Sequence, residues 1–132
     1  MSAENVQIVR AAYEVAQRER TLESFLGLLD PDIVWDNRAV WPDGACYRGL
    51  EEVMREGRRW FGTWEEYRFM PEEFIDADDW VLVPLRVRGR GRGSGVEVEQ
   101  RFVEAWRMRD GKAIEHYAYP SKGAALEAVG QV

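Results

Sequence analysis

Glu104 stands between Phe102 and Trp106, and the only histidine of the chain, His116, follows on the next strand-like segment. Strand alternation puts Val96, Val98, Gln100, Phe102, Glu104, Trp106 and Met108 on one face and Glu97, Glu99, Arg101 and Arg107 on the other. Glu104 is therefore a carboxylate on an apolar face, where it needs a donor or a cation beside it, or else a rim position that reaches water. Whether His116 meets it depends on the turn between them. A three-residue loop Arg109-Asp110-Gly111, with Gly111 as a left-handed bulge, opposes Met108 to Lys112 and Glu104 to His116. A two-residue Asp110-Gly111 turn shifts the register by one and turns the histidine away. The first is favoured, because it aligns Ile114 and His116 with the apolar face. A glutamate and a histidine in contact in a partly dry site can share a proton and supply a general acid or base.

Other residues converge on the same space. Trp35 and Asn37 share a face of a short strand with Ile33, and Tyr13 comes from the first helix. With Phe102, Glu104, Trp106 and His116 they predict an aromatic pocket with a few polar groups, the usual make-up of a small-molecule site. Six Trp, five Tyr and five Phe provide rings enough to line a cavity as well as to fill a core. The loop from Arg38 to Tyr47, with Trp41 and Pro42, reads either as a lid over that pocket or as an ordinary connection. The sequence carries no nucleotide-binding glycine motif, no metal-ligand cluster and no nucleophilic Ser or Cys motif, so the expectation is acid-base chemistry without cofactor or metal. Cys46, the lone cysteine, reads as a packing residue.

The elements that must position these groups follow from periodicity. Val6, Val9, Tyr13 and Ala16 have helical spacing and predict a first helix from Asn5 to Arg20. Thr21 can cap a second, shorter helix with Leu22, Phe25, Leu28 and Leu29 on its buried side, ended at Asp30-Pro31. Ile33-Val34-Trp35 is a short strand, and Gly49 opens a third helix through about Phe61, with Val53, Trp60 and Phe61 as anchors around a polar middle. Period-2 patterning then predicts four strands, at about Tyr67 to Ile75, Trp80 to Arg88, Val96 to Met108 and Ala113 to Tyr119. Their short connections make them an antiparallel meander. A terminal helix spans Ala124 to Val129. Helices followed by a meander predict an α+β fold, a cone in which a curved antiparallel sheet wraps N-terminal helices around one central pocket.

At 132 residues the chain fits a single domain, residues 1–132. A net charge of −6 argues against nucleic acid as partner, since phosphate-binding surfaces need a basic excess. The exception is local. Arg86, Arg88, Arg90 and Arg92 alternate with glycines beyond Arg88, which reads as a solvated hairpin tip in preference to an arginine-glycine RNA clamp. No apolar run is long enough to span a membrane, and the first residues show no basic segment leading into an apolar core. The expectation is a soluble, cytoplasmic protein.

Four segments carry a family resemblance: Val9-Arg10-Ala11-Ala12-Tyr13, Leu28 through Trp35 with its Asp30-Pro31-Asp32 centre, Tyr47-Arg48-Gly49-Leu50-Glu51-Glu52-Val53, and Trp106 through Lys112. Together they resemble the SnoaL-like family of the nuclear transport factor 2-like superfamily, which includes ketosteroid isomerases and polyketide cyclases. The resemblance implies a cystatin-like α+β barrel with a pocket between helices and sheet, and a homodimer through the sheet. By comparison with the ketosteroid isomerases, Tyr13 matches a hydroxyl donor and Glu104 falls near a carboxylic acid donor. The position of the base falls on Asn37, which cannot abstract a proton, while Asp36 points the other way. The proposed dimer face is that of Arg101, Val103, Ala105 and Arg107, a mixture of apolar and charged groups. Two functions remain open: a proton-transfer enzyme of isomerase, cyclase, dehydratase or hydrolase type acting on a small apolar molecule, and a non-catalytic ligand-binding or dimerisation module.

Overall fold

A computed structural model describes residues 2–19 and 22–130. Helix α1, Ser2–Glu19, buries Val9, Tyr13 and Ala16 in one stripe, at the spacing that places side chains on a single face. Arg20 and Thr21, expected to end this helix and cap the next, lie outside the described residues. The second helix is shorter than its pattern suggested. It is a single 3-10 turn, Leu22–Phe25, and Leu29 already belongs to an extended segment.

That segment, β1, runs Leu29–Asp36, so Asp30-Pro31 stops no helix and lies inside a strand. The reason is a break in the ladder between β1 and β7, Lys112–Tyr119, which jumps from Leu29↔Ala113 to Val34↔Glu115. Across the break Asp30 Oδ1 accepts from the Asp32 amide at 2.8 Å, and Pro31, which has no N–H to give, is asked for none by the ladder. Strand β2, Cys46–Arg48, pairs with β1 where the sequence suggested only loop. Helix α2, Leu50–Gly62, follows Gly49 as expected and buries Val53, Met54 and Gly57.

The remaining strands are β3, Trp64–Pro71; β4, Ile75–Ala77; β5, Trp80–Gly91; and β6, Glu97–Arg109. What the period-2 pattern joined from Tyr67 to Ile75 is two strands, β3 and β4, both paired with β5. The order β2-β1-β7-β6-β5-β3 contains the expected antiparallel meander β5-β6-β7, while β1 and β7 run parallel, which makes the sheet mixed. The main core lies between α1, α2 and one sheet face, where Val83, Leu85 and Val87 of β5 and Phe102, Trp106 and Met108 of β6 meet Val9 and Tyr13.

Helix α3, Lys122–Ala128, covers the other face. Ser121 caps it by accepting from the Ala124 amide at 3.1 Å, and Ala125 closes a second cluster with Ala77, Leu82, Val103 and Ala105. Val103 and Ala105 are thus buried within one chain, and the apolar half of the face expected to carry a dimer is already filled. The arginine-glycine segment is also engaged internally. Arg86 and Arg88 lie 3.8 Å from Glu99, Arg90 is 3.4 Å from Glu65 and Glu66, and Arg92 donates to the carbonyls of Gly62 and Trp64 at 3.1 and 3.2 Å. Among the described residues no helix is long and apolar enough to cross a membrane.

Candidate functional site

The site begins at the turn joining β6 to β7. Asp110 and Gly111 both have positive φ, 52° and 78°, as the two-residue type I′ hairpin turn requires, and Arg109 pairs with Lys112. The three-residue loop favoured from sequence is therefore not formed. A two-residue turn alone would send His116 to the wrong face. It does not, because β7 carries one residue too many: Met108 pairs with Ala113, Arg107 with Glu115, and Ile114 between them is a bulge. Beyond the bulge His116 is opposite Trp106, and Glu104 is opposite Ala118. Glutamate and histidine are diagonal neighbours on one face, within reach of long side chains. His116 Nε2 lies 2.9 Å from Glu104 Oε2.

Three strands bury the imidazole. His116 is register partner to Trp35 on one side and Trp106 on the other. Its ring stacks on Trp35 at 3.8 Å between centroids and meets Trp106 at 4.3 Å, leaving it 1% exposed. Nδ1 is buried with no hydrogen-bond partner. Of the two neutral tautomers, the one with its proton on Nε2 donates to Glu104 and leaves no unpaired donor at Nδ1.

The second oxygen of Glu104 is held from the helix side. Tyr13 Oη donates to Oε1, and Trp106 Nε1 in turn donates to Tyr13 Oη at 2.9 Å. Trp106, Tyr13 and His116 thus form a chain of donors ending on one carboxylate. Burial, and then the Glu104 charge, hold the Tyr13 hydroxyl well above the usual tyrosine range, which keeps it a donor. Burial and the same charge raise Tyr67 as well.

Glu104 and His116 face a cavity of about 100 Å³. Of the residues expected around it, Trp35, Asn37 and Phe102 line the wall; Tyr13 and Trp106 do not, and stand behind Glu104. Tyr13 was expected among the catalytic groups and Trp106 among the pocket contacts. Their hydrogen-bonding atoms are committed to the buried chain instead, and Trp106 is 0% exposed. Much of the remaining wall was not anticipated, namely Trp60 and Phe61 from α2 and Tyr67 and Phe69 from β3, whereas Trp41 comes from the loop read as a lid or an ordinary connection. The inward stripe Val53, Gly57, Trp60 of α2 is periodic, but that period marks an inward face without telling cavity from core.

Asn37 has a second task. Its Oδ1 accepts from the Ala45 amide at 2.9 Å, and its carbonyl accepts from the amides of Val40 and Trp41 at 3.3 and 3.1 Å. Gly44 approaches so closely that a Cβ there would lie 2.6 Å from Asn37 Oδ1. The loop is thereby tied down with Trp41 packed on Trp60 and Phe102, at 4.8 and 5.6 Å. Asp36 is turned to Arg38 at 2.6 Å, and that hydrogen bond holds its carboxyl below the usual range. On the opposite wall Arg59 pairs with Glu56 at 2.5 Å, and burial, followed by a hydrogen bond with Glu56, pushes Tyr47 up to about 12. Among the described residues no group of three or more His, Cys, Asp or Glu is placed to hold a metal ion.

Comparison with known proteins agrees with this architecture. A nuclear transport factor 2-like protein of unknown function from Burkholderia pseudomallei is 27% identical, with 98% of this chain and 99% of that one covered at a TM-score of 0.77. TerC, crystallised with polyporic acid, is 25% identical over 96% of this chain and 98% of its own, at 0.76. A SnoaL-like protein from Jannaschia sp. CCS1 shares the fold at 17% identity, covering 100% of this chain and 95% of that one, at 0.77. No curated protein matches the chain in sequence. The model of the SnoaL-like domain matches residues 9–116, from Val9 of α1 to His116 of β7, and the chain belongs to the SnoaL-like family.

Proposed function

We propose that this protein binds a small, largely apolar molecule in the cavity and acts on it by proton transfer, as an isomerase, cyclase, dehydratase or hydrolase working without a cofactor. One observation carries the reading: Glu104, the only carboxylate joined to His116 among the described residues, lines an aromatic cavity while Tyr13 and His116 hold its two oxygens. Each carboxylate oxygen has two acceptor sites, and Tyr13 and His116 occupy one apiece. Each oxygen keeps a second acceptor site, and Glu104 itself lines the cavity. Glu104 is the group to take a proton from a bound molecule and return it at another atom, and its two fixed donors hold the carboxylate in place before the first transfer and after the second. Tyr13 is a positioning residue in this scheme. The 25%-identical TerC, crystallised with polyporic acid, supports occupation of such a pocket by a small organic molecule.

A second reading, a non-catalytic binding protein, has its own support in Asn37. The amide stands where the resemblance places a base, and its oxygen is occupied by Ala45. Native mass spectrometry of the purified protein, followed by turnover of any retained molecule, separates the two. For the enzyme, Glu104→Gln should retain binding, alter the NMR titration of His116 and abolish turnover. Full turnover in that variant sinks the dyad; binding without turnover in the unaltered protein favours the second reading.

A further inference from the structure

We propose that the molecule held in this cavity carries a positive charge embedded in apolar groups, as a methylated ammonium does. The inference rests on the cavity being the binding site and names the class of its occupant.

Charge accounting leads to it. The partners of Glu104 are the Tyr13 hydroxyl, which orients the carboxylate but cancels none of its charge, and the His116 imidazole. The only cationic side chain among the described lining residues is Arg59, and it is bound to Glu56. Glu104, Glu56 and Asp43 against Arg59 leave the wall at three negative charges to one positive, and a protonated His116 would still leave it negative, three to two. An electrically neutral occupant would strip water from Glu104 and offer no compensation. An anion would meet both the carboxylates and the negative faces of the rings. A cation is attracted by the carboxylate and by indole and phenyl faces together, and Trp35, Trp41, Trp60 and Phe102 all contribute to the wall. Methyl groups around the charge suit these rings, because a strongly hydrated ammonium would have to leave its water outside.

The test uses three probes of one shape. Calorimetry on the full chain compares choline, its neutral analogue with tert-butyl in place of trimethylammonium, and the anion tert-butylacetate. Choline should bind at least about tenfold more tightly than the neutral analogue, and the anion should not compete. Glu104→Gln removes the charge at nearly constant volume, so choline should lose its advantage and bind that variant no more tightly than the neutral analogue does. Trp41→Leu is the second variant, on the surface loop away from the buried donor chain; it should weaken choline several-fold more than the neutral analogue. Equal binding of choline and the neutral analogue, or tighter binding of the anion, overturns the charge assignment and leaves the cavity as the binding site. Failure of choline to bind at millimolar concentration overturns it too. The reading of Glu104 as proton carrier is judged separately, by turnover.

Discussion

Strand β6 carries Glu99 and Glu104, and surrounds them in opposite ways. Glu99 lies outside with its side chain 53% exposed and two arginines, Arg86 and Arg88, each 3.8 Å away. Glu104 lies inside with its side chain 15% exposed, and its partners are Tyr13 and His116. Water and mobile cations screen the outer carboxylate, so its pairs contribute little. The inner one is held by directed hydrogen bonds to a hydroxyl and an imidazole at the cavity wall. The difference between the two carboxylates lies in the kind of partner each has, more than in how many.

The largest effect that would sharpen this contrast comes from Trp106. It is fully buried and anchors the donor chain, so Trp106→Ala should cost about 3–5 kcal/mol in urea unfolding. A loss no greater than that of an exposed residue would mean the inner region is not the packed unit described. Next comes Glu104→Ala, which leaves the Tyr13 hydroxyl and the His116 Nε2–H without acceptors. About 2 kcal/mol of destabilisation is expected, since some water can enter at this partly open position. An unchanged midpoint would show that the donors find other partners.

Alkali tests the tyrosines around the inner carboxylate. Tyr13 and Tyr67 are raised above the usual tyrosine value of about 10, chiefly by burial. A group whose folded value is raised stabilises fully below its unfolded value and loses that contribution as pH climbs toward the folded one. Stability should therefore be flat in this respect below about pH 10 and fall above it, with tyrosinate absorbance from these rings appearing together with unfolding. Tyrosinate appearing at ordinary pH with the fold intact would contradict their burial. The smallest effect belongs outside: Glu99→Gln should shift stability by no more than about 0.5 kcal/mol, and salt should erase the difference.

Much of the positioning framework was legible because it is periodic. Alternation through Phe102, Glu104 and Trp106 identified the inner face of β6, and the stripe of Val9, Tyr13 and Ala16 identified the helix face that meets it. The Glu104–His116 contact was anticipated, but through the wrong turn. Ile114 explains the miss: a β-branched residue in a strand looks like any other, and nothing local reports that it has no partner. Strand β2 is three residues long, too short for alternation to register. Asp30-Pro31 reads as a stop signal anywhere in a sequence, and only the interrupted β1–β7 ladder shows why a strand tolerates it. The wall formed by Trp60, Tyr67 and Phe69 was hidden for another reason, because a ring facing a cavity and a ring facing a core have the same periodicity.

The bulge at Ile114 also bears on how relatives of this chain should be aligned. Inside and outside along β7 are an odd-even count, and Ile114 is the one residue the count skips. A homologue lacking it would lose only the unpaired residue, and every side chain beyond would keep its side of the sheet. A homologue that keeps it but pairs it flat against β6 would exchange the two sides and expel its histidine equivalent. A one-residue gap at this position is thus neutral for the ancestry of the site, whereas an ungapped alignment can equate residues that point in opposite directions.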